Sequence, residues 1–306
     1  MSAREPAAAS GAAEGVLVAS PSFAFVASAL DRAEHVRNDP DALARAWADA
    51  CVLELDPDGR ARATASGDAD IRHGFQVAPD ATDALFLGLD GATAWFAVQR
   101  ARGPDAPSVD LRGAAASWPP TASTAFAQAR ALLHWQARHR FCGRCGHAVA
   151  LERAGWLGRC SGCALEHYPR TDPAVIVAVS DGERLLLGRQ ASWPARRYSV
   201  LAGFVEPGET LEQTVVREVF EESRVRVHAC RYLAAQPWPF PSSLMLGFVA
   251  DAAPDPPQAN EELEDVRWFD RASVGRAIAG DDPDLLLSPA ISISRWLIER
   301  WHAGAR

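Results

Sequence analysis

Three carboxylates, Glu218, Glu221 and Glu222, stand three and four residues apart, the spacing that brings side chains onto one arc of an α-helix. Like charges so placed repel one another and destabilise the helix unless something positive lies between them. Arg217 is one candidate. A divalent cation suits three carboxylates better, and hard oxygen ligands with open water positions suit magnesium or manganese. Taken alone, an acidic cluster usually marks a solvated helix face, so its neighbours must decide.

Two other groups carry chemistry. Cys142 and Cys145, then Cys160 and Cys163, form two CxxC pairs. Four thiolates at this separation make a closed tetrahedral site, which suits structural zinc over iron and leaves no catalytic position open. His147 and His167 lie nearby, behind the sulfurs or on the surface. A nucleic-acid-binding ribbon is the competing function, but its fingers lack interleaved basic and aromatic residues. The run Gln236, Pro237, Trp238, Pro239, Phe240, Pro241, Ser242, Ser243 alternates prolines with aromatics. Such prolines hold a chain extended, so Trp238 and Phe240 are presented as rigid faces for flat rings such as nicotinamide or adenine. The plainer meaning of that run is a turn with two core aromatics.

The element that must position the carboxylates is a helix over residues 210–223. Thr210 and Gln213 form a capping-box pair at its start. Leu211, Val215 and Val219 make an apolar stripe beside the acidic arc, so one side packs while its neighbour carries charge.

Residues 203–225 resemble the Nudix box, G-x5-E-x7-R-E-U-x-E-E-x-G-U, through Gly203, Glu209, Arg217, Glu218, Glu221 and Glu222. The departure is Arg224 where the family carries Gly, a position just past the helix end that takes the left-handed conformation. Arg there is expected to cost roughly 1 kcal/mol in backbone strain without touching a metal ligand. Residues 236–243 resemble the SQPWPFPxS motif of the NADH pyrophosphatase and NAD-capped RNA hydrolase subfamily, with Ala235 in place of its Ser. The order of N-terminal unit, ribbon, box and motif is also that subfamily's.

The resemblance implies an α/β/α Nudix sandwich and a homodimeric hydrolase that splits NAD(H) into nicotinamide mononucleotide and AMP, with NAD-capped RNA as an extended substrate. It implies magnesium or manganese on Glu218, Glu222 and the Ala202 carbonyl, with Glu221 joining them or orienting water. Glu262 is a further ligand, with Glu261 one residue away. Tyr168 and Phe204 are implied ring-stacking partners and residues 236–243 the nucleotide-reading segment. Ser294 and Arg112 are implied substrate contacts. Two alternatives stay open, a broader hydrolase of ADP-ribose or ADP-sugars, and a zinc-ribbon nucleic-acid module with a decayed Nudix domain.

The rest of the chain is read as scaffold. A net charge of −8 argues against a broad basic surface for nucleic acid, leaving room only for a local groove such as one around Arg196 and Arg197. No apolar run is long enough for a membrane span. Residues 16–30 contain Pro21 and lack a basic leader, so a cytoplasmic protein is expected. The expected units are a disordered tail over 1–19, an α+β domain over 20–138, the ribbon over 139–168 and the Nudix domain over 169–306. In the first, Asp41 caps a helix over 42–50, strands run over 52–55, 84–89 and 94–98, and a helix spans 123–139. Asp181 and Gly182 make a hairpin turn between strands 174–179 and 184–189. Further strands are expected over 225–235, 244–250 and 266–269, with a closing helix over 291–303.

Overall fold

From Ala174 onward every residue of the strand Asp172–Ser180 is buried, and this strand lies at the centre of the C-terminal sheet. The structure is a computed structural model describing residues 23–26, 30–103 and 105–304. Sheet order is Val227–Trp238, Ser243–Ala252, Asp172–Ser180, Arg184–Arg189, Asp265–Asp270, with Leu201–Phe204 also paired to the central strand. Asp172–Ser180 runs parallel to Ser243–Ala252 and antiparallel to Arg184–Arg189 across the turn at Asp181 and Gly182. Gly182 takes φ 103°, which an L-residue rarely adopts.

Strand periodicity divides the central residues between two cores. Val175, Val177 and Val179 pack with Val215 and Val219 of the helix Leu211–Ser223. Ile176 and Ala178 pack with Leu297, Ile298 and Trp301 of the helix Ile293–His302. The sheet is therefore sandwiched between the carboxylate helix and the closing helix, the α/β/α arrangement expected.

The N-terminal unit repeats this logic. In Cys51–Leu55, Val52 joins Phe86, Phe96 and Trp47 in one core, while Leu53 and Leu55 join Leu85, Leu87 and Phe126 in another. Cys51–Leu55 and Thr93–Gln99 pair in parallel, and Leu85–Asp90 pairs antiparallel with the latter. The ribbon follows as three antiparallel strands, Val149–Glu152, Leu157–Cys160 and Glu166–His167.

Several local expectations need correction. The first long helix is Pro40–Trp47, and its cap is Asp39, not Asp41; the Asp39 carboxylate accepts from the Asp41 and Ala42 amides, and Pro40 occupies the first turn where no N–H is needed. The helix expected over 123–139 is Pro120–Arg138, again opened by a proline. Three helices have no counterpart in the sequence reading, Gly74–Val77, Leu111–Ser117 and Arg271–Ala279. The proline run is extended only to Trp238. It then turns, through a cis Phe240–Pro241 bond, into Ser243–Ala252. The expected tail over 1–19 lies outside the described residues.

Arg224 takes φ 61° and ψ 10°, so the helix ends in the left-handed conformation without its glycine. Its amide still donates to the Phe220 carbonyl at 2.8 Å, and its guanidinium sits 5.3 Å from the Phe220 ring centroid. Replacing Arg224 by Gly is expected to raise stability by about 0.5–1 kcal/mol, the strain relieved less the entropy of a looser unfolded chain. A urea midpoint that stays put or falls would mean that the contact with Phe220 outweighs the strain.

Candidate active site

The helix carrying the carboxylates begins where the residues say it should. Thr210 Oγ1 accepts from the Gln213 amide at 3.3 Å while Gln213 Oε1 accepts from the Thr210 amide at 2.8 Å. Behind this cap, Glu209 accepts two hydrogen bonds from Arg217, at 2.6 and 2.9 Å, and one from Thr214. The Arg217 guanidinium holds the Glu209 carboxyl down to about 2. Arg217 also pairs with Glu218 and Glu221, each at 3.0 Å, and donates to the Phe204 carbonyl. Its donors are thus spread over the loop and two of the three helix carboxylates.

Glu222 is left over. It is 5% exposed, and its Oε2 is buried with no hydrogen-bond partner. Burial first, then the charges of Glu218 and Glu262, push its carboxyl up to about 8, although the Ala202 backbone pulls the other way. Glu218 is raised too, mainly by burial. An orphaned carboxylate oxygen among other carboxylates has the chemistry that a hard divalent cation fits, although among the described residues no three of these carboxylates bring their oxygens within 4.8 Å of one another, so the set would close on the cation as it binds. Glu262 belongs to this field because its charge acts on both Glu218 and Glu222. Glu261 is not among the largest contributors to either shift. Asn260 Oδ1 accepts from the Glu262 and Leu263 amides and so sets the course of this loop.

Gly203 has a reason to be glycine here. A Cβ on it would stand 1.8 Å from the Glu218 carboxyl carbon, so the bare backbone is what lets that carboxylate lie against the strand Leu201–Phe204.

Beside Glu222 opens a cavity of about 820 Å³ whose walls include Ala202, Gln236, Trp238, Ser294 and Arg112. The N-terminal unit contributes Arg112 and Asp110 from the helix Leu111–Ser117 and its cap. The Arg112 guanidinium lies 4.1 Å from the Phe240 ring centroid and 5.2 Å from that of Trp238. Arg130 donates to the Pro239 carbonyl, tying the hairpin tip to the helix Pro120–Arg138.

The proline motif is divided in its duties. Gln236 is fully buried, and its amide is consumed by the Ala24 and Ile291 carbonyls and the Ile293 amide. It pins the start of the closing helix instead of leaving polar atoms free for a nucleotide. Ser242 holds Asp172 at 2.6 Å. Pro237, Pro239, Ser242 and Ser243 line a second, smaller cavity, and Pro241 supplies the cis turn. Ser294 Oγ lies 2.8 Å from Ser199 Oγ. Tyr168 and Phe204 are 56% and 58% exposed, outside the walls of the larger cavity. Gln190, Trp193, Arg197 and Ser199 do line it, unread in the sequence except for Arg197, because a loop between short strands carries no periodic signal.

The four cysteine sulfurs lie within 4.8 Å of one another, with Cys145 and Cys160 at 3.4 Å and Cys142 and Cys163 at 3.8 Å. Tetrahedral zinc with Zn–S bonds of about 2.3 Å implies sulfur separations of about 3.8 Å. Amides of Arg144, Gly162 and Cys163 point at the sulfurs, and those of Cys163 and Gly162 hold the Cys160 thiol down to about 6. With the zinc carrying the ribbon's fold, Cys160→Ser is expected to release one equivalent of zinc and lower the melting temperature by at least ~5 °C. A zinc-free protein that melts unchanged would refute the structural role.

Comparison with known proteins agrees with this architecture. The NUDIX domain family matches residues 170–287, the NADH pyrophosphatase zinc ribbon domain residues 137–168, and the NADH pyrophosphatase-like rudimentary NUDIX domain residues 16–135. The last match accounts for the repeated layering of the N-terminal unit. A crystallised Nudix hydrolase of Nitrosomonas europaea aligns over 54% of this chain and 90% of its own, at 26% identity and a TM-score of 0.43. The NAD-capped RNA hydrolase NUDT12 of Homo sapiens is 42% identical over 57% of this chain and 40% of its own length. The NAD-capped RNA hydrolase NudC of Mycobacterium bovis is 40% identical over 290 residues, covering 89% of this chain and 92% of that protein. Identity at this level along most of both chains shows that the protein belongs to the zinc-ribbon NADH pyrophosphatase branch of the Nudix hydrolase family.

Proposed function

We propose that the protein hydrolyses the pyrophosphate of NAD(H) to nicotinamide mononucleotide and AMP, and removes NAD caps from RNA by cutting the same bond. The observation that carries this reading is the buried, partnerless Glu222 Oε2 at the wall of a cavity that also holds Trp238 and Arg112. The family relationship to NAD-capped RNA hydrolases supports the substrate.

In this reading Glu222, Glu218 and the Ala202 carbonyl hold magnesium or manganese, with Glu262 as a further ligand and Glu221 beside them. When bound, the cation supplies charge neutralisation at the pyrophosphate and a more acidic water. Gly203 and Arg217 fix Glu218, and Arg217 also steadies Glu221, so only part of the carboxylate set has to close on the cation. A carboxylate of this cluster that is not engaged by the cation would take the water's proton as the hydroxyl bonds to one phosphorus and the bridging P–O bond breaks, the other phosphate leaving with its nucleoside so that the products are nicotinamide mononucleotide and AMP. Trp238 and Arg112 position the dinucleotide, and Ser294 lies against it.

Exposed Tyr168, Phe204, Phe220 and Tyr232 support a homodimer in which a second copy covers these rings and brings Tyr168 and Phe204 to a substrate. Among the described residues no helix is long and apolar enough to cross a membrane, and a cytoplasmic location accords with that. The intact end of the carboxylate helix at Arg224 argues against a decayed domain.

Steady-state kinetics with magnesium or manganese on NADH, ADP-ribose and ADP-glucose test the substrate. NADH is expected to give the highest kcat/KM, with nicotinamide mononucleotide and AMP as products. A preference for ADP-ribose or ADP-glucose would make this a broader nucleoside-diphosphate hydrolase.

A further inference from the structure

A second cavity of about 360 Å³ lies where the N-terminal unit, the ribbon and the proline hairpin meet, and it shares Trp238 with the larger one. Its walls include Arg32, Arg170, Thr124, Gln128 and Trp156. Two polar atoms there are buried without partners, Thr124 Oγ1 and Gln128 Oε1. Gln128 Nε2 donates to the Leu87 carbonyl at 2.6 Å, which fixes Oε1 as an unused acceptor.

One cation of this cavity, Arg32, lies against a ring and not an acid, and Arg37, outside the cavity wall, shares that ring. Trp156 is anchored through its Nε1 to the Phe86 carbonyl at 2.7 Å, and the guanidiniums of Arg32 and Arg37 lie 5.8 and 4.0 Å from its centroid. Among the described residues no carboxylate comes within ion-pairing distance of Arg32, Arg37 or Arg170. Burial lowers the Arg32 guanidinium from its ordinary range, and burial together with the charge of Arg32 does the same to Arg37 against the opposing charge of Glu34, which leaves Arg32 as the cation without a compensating acid. Positive charge desolvated and left unneutralised is what an anion relieves.

A purely apolar ligand would leave these groups unmatched. The acceptor wants a hydroxyl donor and the guanidiniums want a phosphate, the pair of groups that an RNA nucleotide presents through its 2′-hydroxyl and backbone. The volume suits about one nucleotide. Trp238 stands in both walls, so the occupant of this cavity is the neighbour of whatever fills the larger one. A few local cations also fit a chain whose net charge is −8 better than a broad basic surface does.

We infer that this cavity receives the first RNA nucleotide after an NAD cap, its phosphate on Arg32 and Arg170 and its ribose hydroxyl on Gln128 Oε1. The inference rests on the cap-removing activity proposed above. It gives the protein a contact that distinguishes capped RNA from free NAD(H).

The test compares kcat/KM on NADH and on NAD-capped RNA for the full-length protein and for Arg32→Ala and Arg170→Ala. Each variant is expected to lose at least ~10-fold on capped RNA, the range for one charge-assisted contact, while NADH hydrolysis stays within about two-fold. A capped substrate with 2′-deoxyribose at that nucleotide is expected to react several-fold more slowly with the unmodified protein. Equal losses on both substrates, or no loss on capped RNA, would overturn the inference. If the unmodified protein cleaves neither substrate, the active-site reading fails, and the cavity is judged by fluorescence anisotropy with an uncapped 5′-phosphorylated oligoribonucleotide. There the slope of log K against log salt should become shallower by about 0.7 in Arg32→Ala, the single-strand value for one phosphate that the protein no longer neutralises. An unchanged slope would sink the cavity on its own.

Discussion

Glu222→Gln should cut NADH hydrolysis sharply and at the same time stabilise the metal-free protein at neutral pH and above. Losing one preorganised charge at a reacting centre lowers kcat by about 10²–10³-fold, and Glu222 is the carboxylate that Arg217 leaves unneutralised. The stability effect has the opposite sign because burial raises the Glu222 carboxyl to about 8 in the folded state, against an ordinary value of 4.5. Between those two values the folded protein binds the extra proton and the unfolded chain does not, so stability falls as pH rises through that window. Below it both states are protonated and the penalty is absent. The Gln variant never carries the charge, so its melting temperature should fall less between pH 5 and pH 8 than that of the parent. Magnesium or manganese should raise the parent's melting temperature at pH 8 and leave that of the variant nearly unchanged. A variant that retains activity, or melts with the parent's pH dependence, would show that Glu222 is an ordinary buried acid.

Gly203→Ala should lose activity without losing the fold. The new methyl would meet the Glu218 carboxyl at 1.8 Å, which is impossible without movement. The backbone of Gly203 lies in a regular strand, paired with Val175, so alanine is acceptable there on conformational grounds. What gives way is the free end of Glu218, which swings off the strand. Displacement of a catalytic group by about 1 Å costs on the order of 10²-fold in rate. We therefore expect kcat to fall by about that factor, with a urea midpoint close to the parent's. Full activity would mean that Glu218 does its work from somewhere other than against Gly203.

What was readable in the sequence is what local rules govern. The capping pair Thr210 and Gln213 is three residues apart, and the buried Val215 and Val219 follow helical spacing, so helix and acidic arc both emerge from a short window. The four cysteines carry their own geometry. The cap at Asp39 was missed although Pro40 beside it is the stronger signal of a helix start. Asp270 and Gly280 likewise bracket the helix Arg271–Ala279 as cap and left-handed terminus, signals that were present and unused. Leu111–Ser117 gives less away, since it is short, contains Gly113 and is held mainly by Leu111 and Ala114 in the core. Other features are long-range. Gln236 meets Ile291 and Ile293 across more than fifty residues, and Ser199 meets Ser294 across 95. No window on the sequence could show that Gln236, which opens the proline run, spends its amide on the backbone, or that an arginine of the N-terminal unit would stack on Phe240.

The account turns on whether the leftover carboxylate oxygen is a cation ligand. Anomalous diffraction at the manganese edge, from crystals grown with manganese and NAD, locates the ion directly. The predicted result is a peak within bonding distance of Glu222 Oε2, the Ala202 carbonyl and Glu218, with the pyrophosphate beside it and Trp238 against the nucleotide. Manganese found elsewhere, with Glu222 still buried and unbound while NAD is in place, would contradict the account.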